Sequence, residues 1–123
     1  MRKENEMTST TFIDTNRRPR VRLGGPQGEA AEILNKELCG AESVVGKLRW
    51  LGRGERFDAQ SYEDKHQLIY LMEGEAVITL AKKDYQVAKG AGVYLGPSES
   101  ASIAHRGANN LKLFHLVVRK AEN

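Results

Sequence analysis

The stretch Gly54-Glu55-Arg56-Phe57-Asp58-Ala59-Gln60-Ser61-Tyr62-Glu63-Asp64-Lys65-His66-Gln67-Leu68-Ile69-Tyr70-Leu71-Met72-Glu73-Gly74 is framed by glycines, and a second framed stretch runs from Gly90 to His105. In the first, five residues separate Gly54 from Gln60-Ser61-Tyr62, four more lead to Gln67, and six more to Gly74. In the second, five residues separate Gly90 from Gly96-Pro97-Ser98, two lead to Ala101, and three to His105. Between the glycines lie short apolar runs, the pattern of strands punctuated by turns. Gln67 to Met72 ends at Glu73-Gly74-Glu75, a hairpin-like break. Val93 to Leu95 ends at Gly96-Pro97.

Outward from this centre the same grammar continues. Ser43 to Leu51 alternates, with Leu48 and Trp50 on one face and Lys47 and Arg49 on the other. Ala76 to Leu80 and Tyr85 to Ala88 read as a hairpin around Lys82-Lys83-Asp84, and Ala101 to Ala104 and Leu111 to Val118 complete the set. Glu29 to Leu38 is ambiguous: its Ala, Glu, Leu and Lys content favours helix, but ten residues make only a marginal one, and the strand reading is preferred. Thr11 to Leu23 accommodates one or two short strands, with Thr10 to Asp14 favoured, before Gly24-Gly25-Pro26 breaks the chain. Residues 1–10 are polar and read as disordered. Many short strands with Gly-rich turns and no internal repeat predict one all-β sandwich or barrel.

The two spacings resemble those of the cupin superfamily. Its first motif reads Gly, five residues, His-x-His, three or four residues, Glu, six residues, Gly. Its second reads Gly, five residues, Pro-x-Gly, two residues, His, three residues, Asn. The resemblance covers roughly residues 40–118 and extends to Tyr70-Leu71-Met72-Glu73-Gly74-Glu75 and to the entry from Gly90 to Pro97. It implies a single all-β jelly roll of the RmlC-like kind over residues 23–120, preceded by a basic arm at 1–22 that is disordered or an edge strand. The positions that would ligate a metal in such a protein carry Gln60, Tyr62, Gln67 and Ala101, and His105 stands in the place of the Asn. The frame is kept and the metal ligands are replaced.

Side chains alternate across a strand, so the motif positions assign a barrel interior. The assignment turns Gln60, Tyr62, Gln67, Ile69 and Leu71 inward, with Ala101, Ile103 and His105 from the second motif and Leu111, Leu113, His115 and Val117 from the last strand. His66 faces the other way. Amide oxygens, a phenol and an alanine do not make the imidazole and carboxylate set that iron, manganese, nickel or zinc requires. The expectation is therefore no metal and no other cofactor. The alternative is a metal gathered by His105 and His115 with a pocket carboxylate.

Tyr62, His105 and His115 form a candidate acid/base set, because histidine titrates near neutrality and a phenol can donate a proton. Gln60, Gln67, Ile69 and Ile103 are the candidate substrate contacts, with Trp50 either a platform beside them or part of the core. Two functions stay open. One is a metal-independent isomerase, dehydratase (lyase) or cyclase acting on a small polar molecule, the chemical style of metal-free epimerases and dehydratases of the resembled superfamily. The other is a non-catalytic binding or sensory module, and a degenerate metal-binding member of the resembled superfamily with a structural role is a third reading.

Composition narrows the partners. At 123 residues with 12 glycines and 28% charged residues, the chain reads as one globular domain. Residues 1–22 carry six basic and three acidic side chains, which accounts for the whole net charge of +3. Without an aromatic stacking series or a helix-turn-helix pattern, such an arm reads as solvated or partner-packing and not as a nucleic-acid contact. No apolar run is long enough to span a bilayer, and residues 1–15 lack the pattern of a secretory signal. A lone cysteine, Cys39, agrees with a reducing cytoplasm. A homodimer through an edge strand from residues 11–23 is the default assembly.

Overall fold

The computed structural model describes residues 11–121, so the expectation of disorder for residues 1–10 lies outside the described residues. In chain order the strands are β1 (Val21–Arg22), β2 (Glu29–Leu34), β3 (Val44–Leu51), β4 (Arg56–Ala59) and β5 (Lys65–Glu73). They continue with β6 (Glu75–Leu80), β7 (Lys83–Ala88), β8 (Gly92–Leu95), β9 (Ala101–Arg106) and β10 (Leu111–Arg119). One four-residue helix, α1 (Lys36–Cys39), interrupts them. All pairings are antiparallel. One sheet has the order β1-β2-β3-β10-β5-β8 and the other β4-β9-β6-β7. The architecture is an all-β jelly roll.

The two sheets close on one core. Leu51, Ile69, Leu71, Leu111 and Leu113 from the six-stranded sheet meet Phe57, Ala76, Ile78 and Ile103 from the other. Each fully buried Leu or Ile in such a cluster contributes roughly 1.5–3 kcal/mol. Alternation explains the assignment: β5 buries Gln67, Ile69 and Leu71 while Leu68, Tyr70 and Met72 face out.

Turn chemistry fixes the register. Ala81 and Lys82 both have positive φ (49° and 68°), the signature of a two-residue type I′ hairpin between β6 and β7. The turn thus sits earlier than Lys82-Lys83-Asp84, and Lys83 and Asp84 belong to β7. Gly74, between β5 and β6, has φ +92°, and a Cβ there would lie 2.8 Å from the Asn110 carbonyl oxygen. Only glycine allows that approach.

Three local readings are corrected. Thr11 to Asp14 forms no strand: Asp14 caps a 3-10 turn at Thr15–Arg17 by accepting from the Asn16 N–H, and the strand of the arm is Val21–Arg22 instead. The Glu29–Leu38 segment splits. It is strand through Leu34, and then the Asn35 side chain caps α1 by accepting from the Leu38 N–H. A strand at Arg56–Ala59, absent from the sequence reading, pairs with β9.

The arm's arginines are used on its own barrel. Arg20 pairs with Glu29 at 2.8 Å and lies 3.8 Å over the Trp50 ring, Arg18 donates to the Glu32 carbonyl, and Arg22 pairs with Glu55. Exposed pairs of this kind contribute at most about 1 kcal/mol each, so they place the arm more than they stabilise the fold. Among the described residues no helix is long and apolar enough to cross a membrane.

Candidate functional site

β3 decides the site. Leu51 enters the core, and by alternation Arg49 points the same way, while Leu48 and Trp50 face outward. There Leu48 lies beside Ala31 of β2 and Phe114 of β10. Arg49 is 7% exposed and stands in a cation–π contact 3.8 Å over the Phe57 ring.

From Arg49 a directed chain of hydrogen bonds crosses the interior. Its Nε–H lies 3.2 Å from His115 Nδ1. Guanidinium is only a donor, so Nδ1 must accept and the ring proton sits on Nε2. That Nε2–H then donates to Gln67 Oε1 at 2.8 Å, and Gln67 Nε2 donates to the Gln60 carbonyl at 2.7 Å. Burial is the main cause that pushes His115 down to about 3, with Arg49 and then Lys47 repelling a second charge. Burial likewise lowers Arg49 to about 10, against which Tyr62 acts to raise it. At neutral pH the pair is a charged guanidinium beside a neutral imidazole.

A cavity of about 180 Å³ opens over this chain. Its buried lining is Arg49, Phe57, Gln67 and His115; Gln27, Asp58, Gln60 and Tyr62 form its exposed part. Phe57 is the one apolar side chain of the lining. The Asp58 carboxylate pairs with Arg56 at 3.1 Å, with both groups more than half exposed.

The motif resemblance implies a divalent metal at these positions, and the residues present do not fit one. Both ring nitrogens of His115 are committed, one to Arg49 and one carrying its own proton, and the Gln67 amide is committed at both ends. The nearest free charge is a cation. Among the described residues no three His, Cys, Asp or Glu side chains gather as a ligand set.

Of the residues singled out in the sequence, Gln60, Tyr62, Gln67 and His115 line this cavity together. The others are placed elsewhere, which corrects the expectation. His105 lies in a separate depression with Glu55 and Arg56; its Nε2 is 2.8 Å from the Asn109 carbonyl oxygen, and its backbone N–H donates to Glu55. Alternation gives the face but not the height. Ala101 pairs with Ala59, next to Gln60, whereas His105 lies near Glu55, four residues and roughly 13 Å along β4 from Ala59. His105 and His115 therefore cannot share a metal or a substrate atom. Ile69 and Ile103 are fully buried between the sheets and do not reach the cavity, and Trp50 lies on the outer face beneath Arg20. His115 is in the cavity, but with its acceptor nitrogen already filled by Arg49 it is not placed to take a proton from a substrate. The sequence reading missed Arg49, Phe57, Asp58 and Gln27. The signal for Arg49 was its shared parity with Leu51.

No family model and no curated protein matches the sequence. The structural matches are many, and several are described as cupins. The protein described as a predicted oxalate decarboxylase from Thermotoga maritima superposes with a TM-score of 0.78 at 20% identity, over 88% of this chain and 98% of that one. An RmlC-like cupin from Shewanella frigidimarina gives 0.70 at 13%, over 94% and 95%. The chain has the cupin fold. The polyketide cyclase RemF from Streptomyces resistomycificus matches at 0.73 and 14% identity, over 92% of this chain and 81% of that one.

Proposed function

We propose that this cupin-fold chain is a metal-independent enzyme that moves a proton on a small polar molecule, in the isomerase, lyase or cyclase class. The observation that supports it is the composition of the cavity. Seven of its eight lining residues are polar or charged, three of them (Gln60, Tyr62 and Gln67) stand at motif positions, and the nitrogens of His115 and the amide of Gln67 are engaged with protein partners. Two structurally similar proteins, the cyclase RemF and a sugar phosphate isomerase from Silicibacter pomeroyi, carry names of the same reaction types.

The roles divide by environment. Tyr62 and Asp58, exposed at the cavity mouth with Asp58 paired to Arg56, are the groups that can exchange protons with a substrate. Arg49 positions it, and His115, itself fixed by Gln67, holds Arg49 at its Nε. A recognition-only module is the second reading. It is favoured by the commitment of every polar atom of Gln67 and His115 within the chain of hydrogen bonds.

The experiment is a screen of polar metabolites against chelator-treated protein, with product formation followed by NMR. Turnover that survives chelation is expected. Turnover abolished by the chelator and restored by iron, manganese, nickel or zinc would contradict the metal-free reading. Tyr62→Phe and Asp58→Asn separate the two functions. Loss of a proton carrier lowers turnover by a factor of roughly 10²–10⁴, whereas a recognition module has only affinity to lose.

A further inference from the structure

We propose that the molecule this cavity takes is a small monocarboxylate, clamped by the guanidinium of Arg49. This rests on the small-molecule reading above and names its ligand class. Arg49 is more than nine-tenths buried, yet among the described residues its side chain has one hydrogen-bond partner, the neutral His115 ring at Nε. Arg49 lines the cavity, and among the described residues its terminal nitrogens, with four of the five donors, have no hydrogen-bond acceptor. None of the ion pairs among the described residues uses Arg49. A buried cation without a counter-charge destabilises the empty protein, and an anion entering the cavity relieves that cost.

Three features select the class of anion. The planar fork of a guanidinium matches a carboxylate through two parallel hydrogen bonds, and the Phe57 face 3.8 Å beneath it fixes the plane of the fork. Arg49 is the one cation in the lining, and the other formal charge there is the Asp58 carboxylate. A dianion such as a phosphate monoester would leave one of its charges unmatched by Arg49, since the Asp58 charge is already paired with Arg56. The neutral groups of Gln27, Gln60 and Tyr62 at the mouth then suit hydroxyl or carbonyl substituents on the rest of the ligand.

The test follows the Arg49 Nε–H and His115 Nε2–H signals by NMR. The probes are glycolate, lactate, pyruvate and 3-hydroxybutyrate, their four primary amides, and methyl phosphate. At least one acid is expected to shift both signals saturably, and its amide to bind roughly ten- to a hundredfold more weakly, the loss of a charged hydrogen-bonded pair. Arg49→Lys keeps the charge and removes the fork, so that preference should shrink. An amide binding as tightly as its acid, or methyl phosphate binding more tightly than every acid, would overturn the carboxylate assignment and leave the small-molecule reading standing. The acids failing to shift either signal would also overturn it. If the amides and the metabolite screen fail as well, the small-molecule reading falls with it.

Discussion

Acidification should destabilise this protein through one histidine. His115 has an ordinary value of 6.5 in the unfolded chain and is pushed down to about 3 in the fold, by burial first and then by Arg49 and Lys47. Between those two values the unfolded state binds a proton that the native state refuses, so stability falls as pH falls. The slope approaches about 1.4 kcal/mol per pH unit well below 6.5, and integration from pH 7 to pH 5 gives a loss of about 2 kcal/mol. Glu55, whose carboxyl is held below its usual range by the Gly52 N–H and then by Arg22, adds acid sensitivity of its own only below its ordinary value of 4.5. The interval from pH 7 to 5 therefore isolates histidine. The assay is urea unfolding at pH 7, 6 and 5 for wild type and for His115→Gln, which keeps an acceptor for Arg49 and cannot titrate. The wild type should lose about 2 kcal/mol more than the variant across that interval. Equal losses would refute the claim that His115 is held neutral by its surroundings.

Other perturbations probe the rest of the account. Gln67→Met removes the acceptor of the His115 Nε2–H and the donor to the Gln60 carbonyl at a position 2% exposed; it should cost about 2–4 kcal/mol in chemical unfolding, since each orphaned buried group costs about 1–3 kcal/mol. Gly74→Ala places a Cβ 2.8 Å from the Asn110 carbonyl oxygen with φ at +92° and should lower stability by about 1–3 kcal/mol, seen in the same unfolding assay. Deleting residues 1–23 instead of 1–10 removes β1, the Arg20 cover of Trp50 and the Arg22–Glu55 pair, so it should lower the melting temperature and redden Trp50 fluorescence relative to the shorter deletion. Identical melts and spectra for the two truncations would mean the segment is not packed as described.

The parts of the fold that were legible in the sequence are those where spacing carries geometry. Glycines at Gly54, Gly74 and Gly90, all with positive φ, punctuate the strands, and period-two alternation in β5 and β10 gives the buried face directly. β4 escaped notice because Arg56-Phe57-Asp58-Ala59 holds one large apolar residue and becomes a strand only through its pairing with β9. Arg49 escaped because a cation opposite Leu48 and Trp50 looks like the solvent face. In this fold Leu48, on the outer face of β3, is flanked by Ala31 and Phe114 of the neighbouring strands and Trp50 lies under Arg20, so both faces are partly buried and polarity no longer marks the outside. His105 was misplaced because sequence alternation fixes the side of a sheet and not the position along the barrel axis.

The central claim is that the motif positions hold a closed, neutral hydrogen-bonded chain against one buried cation and not a metal. The direct measurement is a long-range ¹H–¹⁵N NMR correlation on the His115 ring, recorded at pH 7 and pH 5 with and without added Zn²⁺. The account predicts a proton on Nε2, a bare Nδ1, and a pattern unchanged by the acid step or by zinc. Protonation of the ring between pH 7 and 5, or a zinc-dependent shift of either nitrogen, would contradict it.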